Sequence, residues 1–176
     1  MNYINLEINH YIATVTLNRP EAMNAFNYDM LVQLGEVADE LRTNRDVRVV
    51  VITASGEKAF SVGADLKERR TLSEAQVRRN VFKIGDVFNR IATLPQPTIA
   101  AINGYAFGGG MELLLACDFR IAANDVKMGL TETSLAIIPG AGGTQRLPRI
   151  VGEAKAMELI LTAKRFTAKE AYNWGL

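Results

Sequence analysis

The chain has 176 residues, 48% hydrophobic and 22% charged, with a formal net charge of +1. That suits one domain with a real core, and so small a charge gives no global field to draw in nucleic acid or an anionic membrane. A single cysteine, Cys117, excludes an internal disulfide, and the single histidine, His10, reads as a hairpin residue between two strand patterns, which removes Ser-His and Cys-His catalysis and any histidine-based metal centre.

Met1-Asn2-Tyr3-Ile4-Asn5 lacks the basic-then-apolar pattern of a secretion signal, and no apolar run approaches the roughly 20 residues that span a bilayer. A soluble intracellular protein is expected: cytoplasmic, or in the mitochondrial matrix if eukaryotic and processed. Cys117 ends an apolar run and reads as a small buried hydrophobe.

In chain order, Ile4, Leu6 and Ile8 and then Ile12, Val15 and Leu17 alternate around a polar turn holding His10, which predicts a β-hairpin. Asn18-Arg19-Pro20 ends it, because proline cannot donate to a ladder. Leu31, Leu34, Ala38 and Leu41 recur at helical spacing. Val47 to Thr53 is a nearly continuous β-branched run and predicts a strand buried on both faces. Ser73 and Gln76 form a capping box, with Val77, Val81, Ile84, Phe88 and Ile91 on one helical stripe behind it.

Pro95 and Pro97 close that helix. Thr98 to Ile102 reads as a buried strand, Gly104 to Gly110 as a glycine-rich turn, Met111 to Cys117 as a short apolar helix and Phe119 to Ala123 as a strand. Pro139 to Gly143 is a second glycine-rich loop with helices after it. Thr167 and Glu170 cap a last helix that Gly175 stops. Strand and helix alternate throughout, which predicts an α/β fold with a mainly parallel sheet and a single domain over residues 1–176. Such a chain normally runs on into another strand, so the sequence is expected to be a fragment.

Four segments can carry chemistry. Gly104-Tyr105-Ala106-Phe107-Gly108-Gly109-Gly110-Met111-Glu112 follows a strand and opens a helix, so its free amides can face an anionic ligand; equally, it is a tight, closely packed turn. The glycine spacing matches neither a dinucleotide fingerprint nor a phosphate loop. Glu112 is the only charge between Gly104 and Cys117. It either offsets a helix dipole or is a carboxylate with a raised pKa beside an anion-binding turn. Glu132 stands in a loop that turns apolar through Ala136-Ile137-Ile138, and is either solvated or catalytic. In Phe60-Ser61-Val62-Gly63-Ala64-Asp65-Leu66-Lys67, Asp65 caps a helix and the Ala64 amide lies just outside it, a candidate second oxyanion donor. Two amides to stabilise an enolate-like oxygen and two carboxylates to move protons make a coherent set.

These segments resemble the enoyl-CoA hydratase/isomerase (crotonase) family. The likeness rests on Asn18-Arg19-Pro20, Gly63-Ala64-Asp65-Leu66, Ala100-Ala101-Ile102-Asn103-Gly104 with Gly108-Gly109-Gly110, Ala116-Cys117-Asp118, and Ile138-Pro139-Gly140-Ala141-Gly142-Gly143-Thr144-Gln145-Arg146-Leu147. The order and spacing match across nearly the whole chain. The resemblance implies a spiral of β-β-α turns, assembled as homotrimers or as hexamers built from two trimers. It implies Ala64 and Gly109 as the oxyanion-hole amides and Glu112 and Glu132 as the hydratase carboxylates. Pro139 and Gly140 are implied to shape the acyl pocket, and Met23, Ala25 and Leu66 to line the coenzyme A pocket, with Gly63, Asp65 and Gly108 also among the substrate-binding residues. No cofactor or metal is implied, coenzyme A being part of the substrate. There are two departures from the pattern: Val62 stands where alanine is usual, and the family's C-terminal helices are missing.

The implied activity is hydration of a 2-enoyl-CoA thioester. Its rivals are a double-bond isomerase, which the glutamate pair argues against, and a hydratase of the methylglutaconyl-CoA type that also binds RNA. The basic stretch Lys67-Glu68-Arg69-Arg70 with Arg78-Arg79 is interleaved with acids and lacks stacking aromatics, so it reads as a solvated helix face. A silent scaffold subunit would not need both glutamates. At the glycine turn, Gly109→Val is expected to fold acceptably but lose most activity, while Gly110→Ala is expected to be milder.

Overall fold

The computed structural model describes residues 2–176. The hairpin forms as expected: β1 (Ile4–Asn9) and β2 (Ile12–Leu17) pair antiparallel. His10 and Tyr11 make the two-residue turn with φ of 46° and 69°, the left-handed pair that matches the twist of the flanking strands. Then come α1 (Tyr28–Thr43), β3 (Val49–Ala54), β4 (Ala59–Ser61), the single turn α2 (Leu66–Arg69) and α3 (Glu74–Ala92). The middle of the chain is β5 (Thr98–Ile102), β6 (Tyr105–Phe107), α4 (Gly109–Ala116), β7 (Phe119–Ala122) and β8 (Lys127–Gly129). A 3-10 turn at Glu132–Leu135, α5 (Gly143–Val151), α6 (Glu153–Leu161), β9 (Phe166–Thr167) and α7 (Ala168–Asn173) complete it.

Two sheets result, ordered β1-β2-β3-β5-β7 and β4-β6-β8-β9. The strands from β2 to β7 in the first sheet and from β4 to β8 in the second are parallel. From β3 to β8 the strands thus come in consecutive pairs, one to each sheet, with helices between pairs, while β1 and β2 both join the first sheet. This is the β-β-α spiral, and not the simple strand-helix alternation that periodicity predicts. The second strand of each pair is only three residues long, too short to show a period. So the segment Gly104–Gly110, expected to be turn throughout, contains β6.

The β3 run is buried on one face only: Val50, Ile52 and Ala54 enter the core while Val49, Val51 and Thr53 are half covered. The core joins these residues to Leu31, Leu34, Ala38 and Leu41 of α1 and to Ile84, Phe88 and Ile91 of α3. Phe26 meets Phe88 edge-to-face with centroids 5.5 Å apart. The α3 stripe divides along its length, since Val81 is exposed and Val87 takes a core position. Both capping boxes form, at Ser73 with Gln76 and at Thr167 with Glu170. Gly175, with φ of 77°, ends α7, and the Leu176 amide turns back to the Ala171 carbonyl at 2.9 Å. Cys117 is buried, which pushes its thiol up to about 12 and leaves it inert.

Candidate active site

The site lies where β4 and β6 end side by side. After β6 the chain turns at Gly108 into α4, so the amide of Gly109 is a first-turn donor with no intrahelical partner. After β4, the residues around Ala64 form a single parallel bridge with Phe26. Phe26 N donates to Gly63 O at 2.8 Å and Asp65 N donates to Phe26 O at 2.9 Å. That bridge engages the Gly63 carbonyl and the Asp65 amide, while the Gly63 amide donates to Ser61 Oγ at 3.2 Å, and the Ala64 amide is left out of the pairing. Neither the Ala64 nor the Gly109 amide has an acceptor among the described residues.

Gly63 makes the approach possible. Its φ is +87°, and a Cβ there would lie 2.6 Å from the Gly109 nitrogen. Gly109 has no such dihedral need; a Cβ on it would meet Ile84 Cδ1 at 3.1 Å and Gly63 Cα at 3.3 Å. Gly110 reverses the expectation from sequence. A Cβ there would sit 2.1 Å from the Ser61 carbonyl oxygen, so this glycine lets α4 pack directly on β4 and is the less tolerant of the two.

The Ala64 strap is tied from behind. Asp65 caps α2, accepting from the Lys67 and Glu68 amides, and Arg19 Nη1 donates to it at 2.6 Å. Burial works against the Asp65 charge, but these bonds outweigh it and hold the carboxyl below its ordinary value. Arg19 also donates to Ala25 O at 3.0 Å. Asn24 ties this loop to Ser55 O and Ala59 O, while Ser61 Oγ donates to Asn24 O at 2.7 Å. Asn18-Arg19-Pro20 thus does more than end a strand. Its arginine helps place the Ala64 amide, a role that spacing alone does not reveal.

Glu112 sits in the first turn of α4, 3% exposed, and Glu132 opens the 3-10 turn after β8, 9% exposed. Glu112 Oε1 accepts from the Ala141 amide at 2.7 Å and the Gly143 amide at 2.9 Å. Burial raises the Glu112 pKa; the Gly143 and Ala141 amides and the charge of Arg146 pull it part of the way back. Glu132 Oε2, by contrast, is buried without a hydrogen-bond partner among the described residues. Burial first, then repulsion from Glu112, pushes it to about 7. Burial thus raises both acids: Glu112 keeps two amide donors that offset part of the rise, and Glu132 is pushed up to about 7.

Both carboxylates, both amides, Gly108, Leu66 and Gly140 line one cleft of about 630 Å³. Its apolar wall comes from Val62, Val81, Ile84, Leu135, Ile137 and Ile138. Val81 and Ile84 read as core from the helical stripe, and their second role is visible only once α3 is laid against the glycine turns. Asp65 lines an adjoining hollow that shares Ala64, Arg69, Val81 and Ile84 with the cleft. Met23, Ala25, Gly63 and Pro139 are not on its wall, and Met23 is exposed. Among the described residues no group of three or more His, Cys, Asp or Glu could hold a metal ion, and no helix is long and apolar enough to cross a membrane.

The fold and this cleft define an α/β spiral that sets two acceptor-free amides and two buried carboxylates around one space. Residues 7–176 match the family model for enoyl-CoA hydratase/isomerase. The chain is 48% identical over 170 residues to the mitochondrial methylglutaconyl-CoA hydratase of Homo sapiens, covering 97% of this chain and 50% of that one. It is 42% identical over 176 residues to a short-chain-enoyl-CoA hydratase of Clostridium acetobutylicum, covering 100% and 67%. A crystal structure of an enoyl-CoA hydratase from Bacillus anthracis superposes with a TM-score of 0.97 at 48% identity, covering 99% of this chain and 68% of that one. The chain belongs to the enoyl-CoA hydratase/isomerase family and has its crotonase-like fold. It spans between 50% and 67% of the length of these curated relatives.

Proposed function

We propose that the protein carrying this chain is an enoyl-CoA hydratase, adding water reversibly across the double bond of a 2-enoyl-CoA thioester. The observation that carries this reading is the pair of buried glutamates, both raised by burial, lining one cleft with two acceptor-free amides. The thioester oxygen accepts from the Ala64 and Gly109 amides, each such donor being worth about 10²–10³-fold. Polarisation makes C3 electrophilic. Glu112 takes a proton from water as its oxygen bonds to C3, and Glu132 delivers its proton to C2. The pair then re-equilibrates through solvent, so substrate and water alone balance the reaction, and no metal or redox cofactor takes part.

A branched acyl group of the methylglutaconyl type is the second reading, favoured by the 48% identity to such a hydratase. Assembly as homotrimers or as hexamers belongs to the same reading. It fits the exposure of Phe82 at 79% and of Ile138 at 72% close to the cleft. The test is product analysis by the full-length protein on crotonyl-CoA, a branched 2-enoyl-CoA and a 3-enoyl-CoA. Hydroxyacyl products support hydration. A shifted double bond with no water gained would make the protein an isomerase.

A further inference from the structure

We propose that Arg146 is a positioning residue for this reaction: it clamps the Pro139–Gly143 loop to α3 and so aims the Ala141 and Gly143 amides at Glu112. The inference rests on the hydratase reading for its kinetic consequence and on coordinates for its geometry. Arg146 Nη1 donates to the Ala141 carbonyl at 2.8 Å, and Nη2 donates to Asn89 Oδ1 on α3 at 2.7 Å. One planar fork therefore ties the loop to a neighbouring helix, which a lysine could not do.

The loop is built around that fork. At Gly142, with φ of +104°, a Cβ would lie 2.0 Å from Nη1 and 2.9 Å from Cζ of Arg146, so the guanidinium occupies the space a side chain would need. At Gly143 a Cβ would lie 3.1 Å from Glu112 Oε1. The loop is thus pressed by Arg146 on one side and by the carboxylate on the other. The two amides it presents both go to Oε1. No donor among the described residues reaches Oε2, and this is the oxygen left for a water. The charged groups bearing on Glu112 are Glu132, from the turn after β8, and Arg146 itself; Arg149 and Cys117 act on Arg146.

The test uses the full-length protein with Arg146→Met, Arg146→Lys and Asn89→Ala. Arg146→Met should lower kcat on crotonyl-CoA about 10–100-fold with KM within about twofold, and move the acidic limb of the kcat–pH profile upward. Arg146→Lys should return that limb toward its original place but leave kcat low, because charge is restored without the fork. Asn89→Ala should lower kcat with the limb little changed. A purely structural arginine would cost melting temperature and active fraction while leaving the limb where it was. That outcome in a folded Arg146→Met variant overturns the proposal. A carbon-13 NMR titration of the Glu112 carboxyl gives an arm that needs no turnover. It should rise in Arg146→Met, because the charge that lowers it is gone, and an unchanged titration overturns the clamp. If the unsubstituted protein hydrates nothing, the hydratase reading falls, while this titration still decides the role of Arg146.

Discussion

Glu132 is the residue whose placement costs the fold most plainly. Its pKa stands at about 7 in the folded chain against an ordinary 4.5. As pH rises the unfolded chain gives up this proton first. Stability is therefore full below about 4.5, declines as pH climbs through about 7, and stays lower above. Glu132→Gln removes the ionisable group, so the variant should gain ~1–3 kcal/mol over the unsubstituted protein above neutrality, with the gain fading toward acid pH. Denaturant titrations at several pH values measure it, and equal stability at every pH would refute the buried-acid account. Since Glu112 contributes to the shift, the curve belongs to the pair. From sequence, Glu132 is only an acid in a loop that turns apolar. Its burial depends on the 3-10 turn at Glu132–Leu135, and Thr133 Oγ1 helps pin that turn by donating to Ile160 O at 2.8 Å.

At the scale of elements, α4 is a lever with chemistry at its first turn. Gly110→Ala should be the damaging change, because its Cβ would meet a backbone oxygen of β4 that has no room to yield. We expect it to cost ~2–4 kcal/mol or to prevent folding. Gly109→Val should fold, since the nearest atom it meets is the movable end of Ile84, yet lose most turnover by crowding the amide. Thermal melts set beside activity separate the two, and a well-folded Gly110→Ala would contradict the packing described. Long periodic elements were legible from sequence: α1 and α3 by their stripes, the hairpin by alternation, both capping boxes by residue type. The three-residue strands β4, β6 and β8 were not, because so short a piece shows neither period nor propensity. The cleft wall was only half legible. Val81 and Ile84 follow a helix period whatever they face, so periodicity cannot say that one end of the stripe leaves the core for a ligand.

For the whole molecule, the spiral brings two strand ends and two glycine turns, far apart in sequence, to one end of one cleft. The motifs Gly63-Ala64-Asp65-Leu66 and Gly108-Gly109-Gly110 name the amides, but only the parallel pairing of β4 with β6 sets them side by side. Two arginines of the basic stretch are engaged within the chain. Arg78 is paired with Glu74 at 2.6 Å, and Arg79 lies over the Tyr28 ring at 3.6 Å. RNA binding should be weak and should disappear as salt is raised, whereas selective binding that persists at physiological salt in a filter or anisotropy assay would contradict this. The central claim, hydration by a glutamate pair beside two amides, is tested most directly by the turnover of crotonyl-CoA by the full-length protein alongside Glu112→Gln and Glu132→Gln. The account predicts conversion to the 3-hydroxyacyl thioester by the unsubstituted protein and a loss of about 10²–10⁴-fold in each variant, with acyl-CoA affinity nearly unchanged. Near-normal turnover in either variant, or none in the protein that keeps both glutamates, would contradict it.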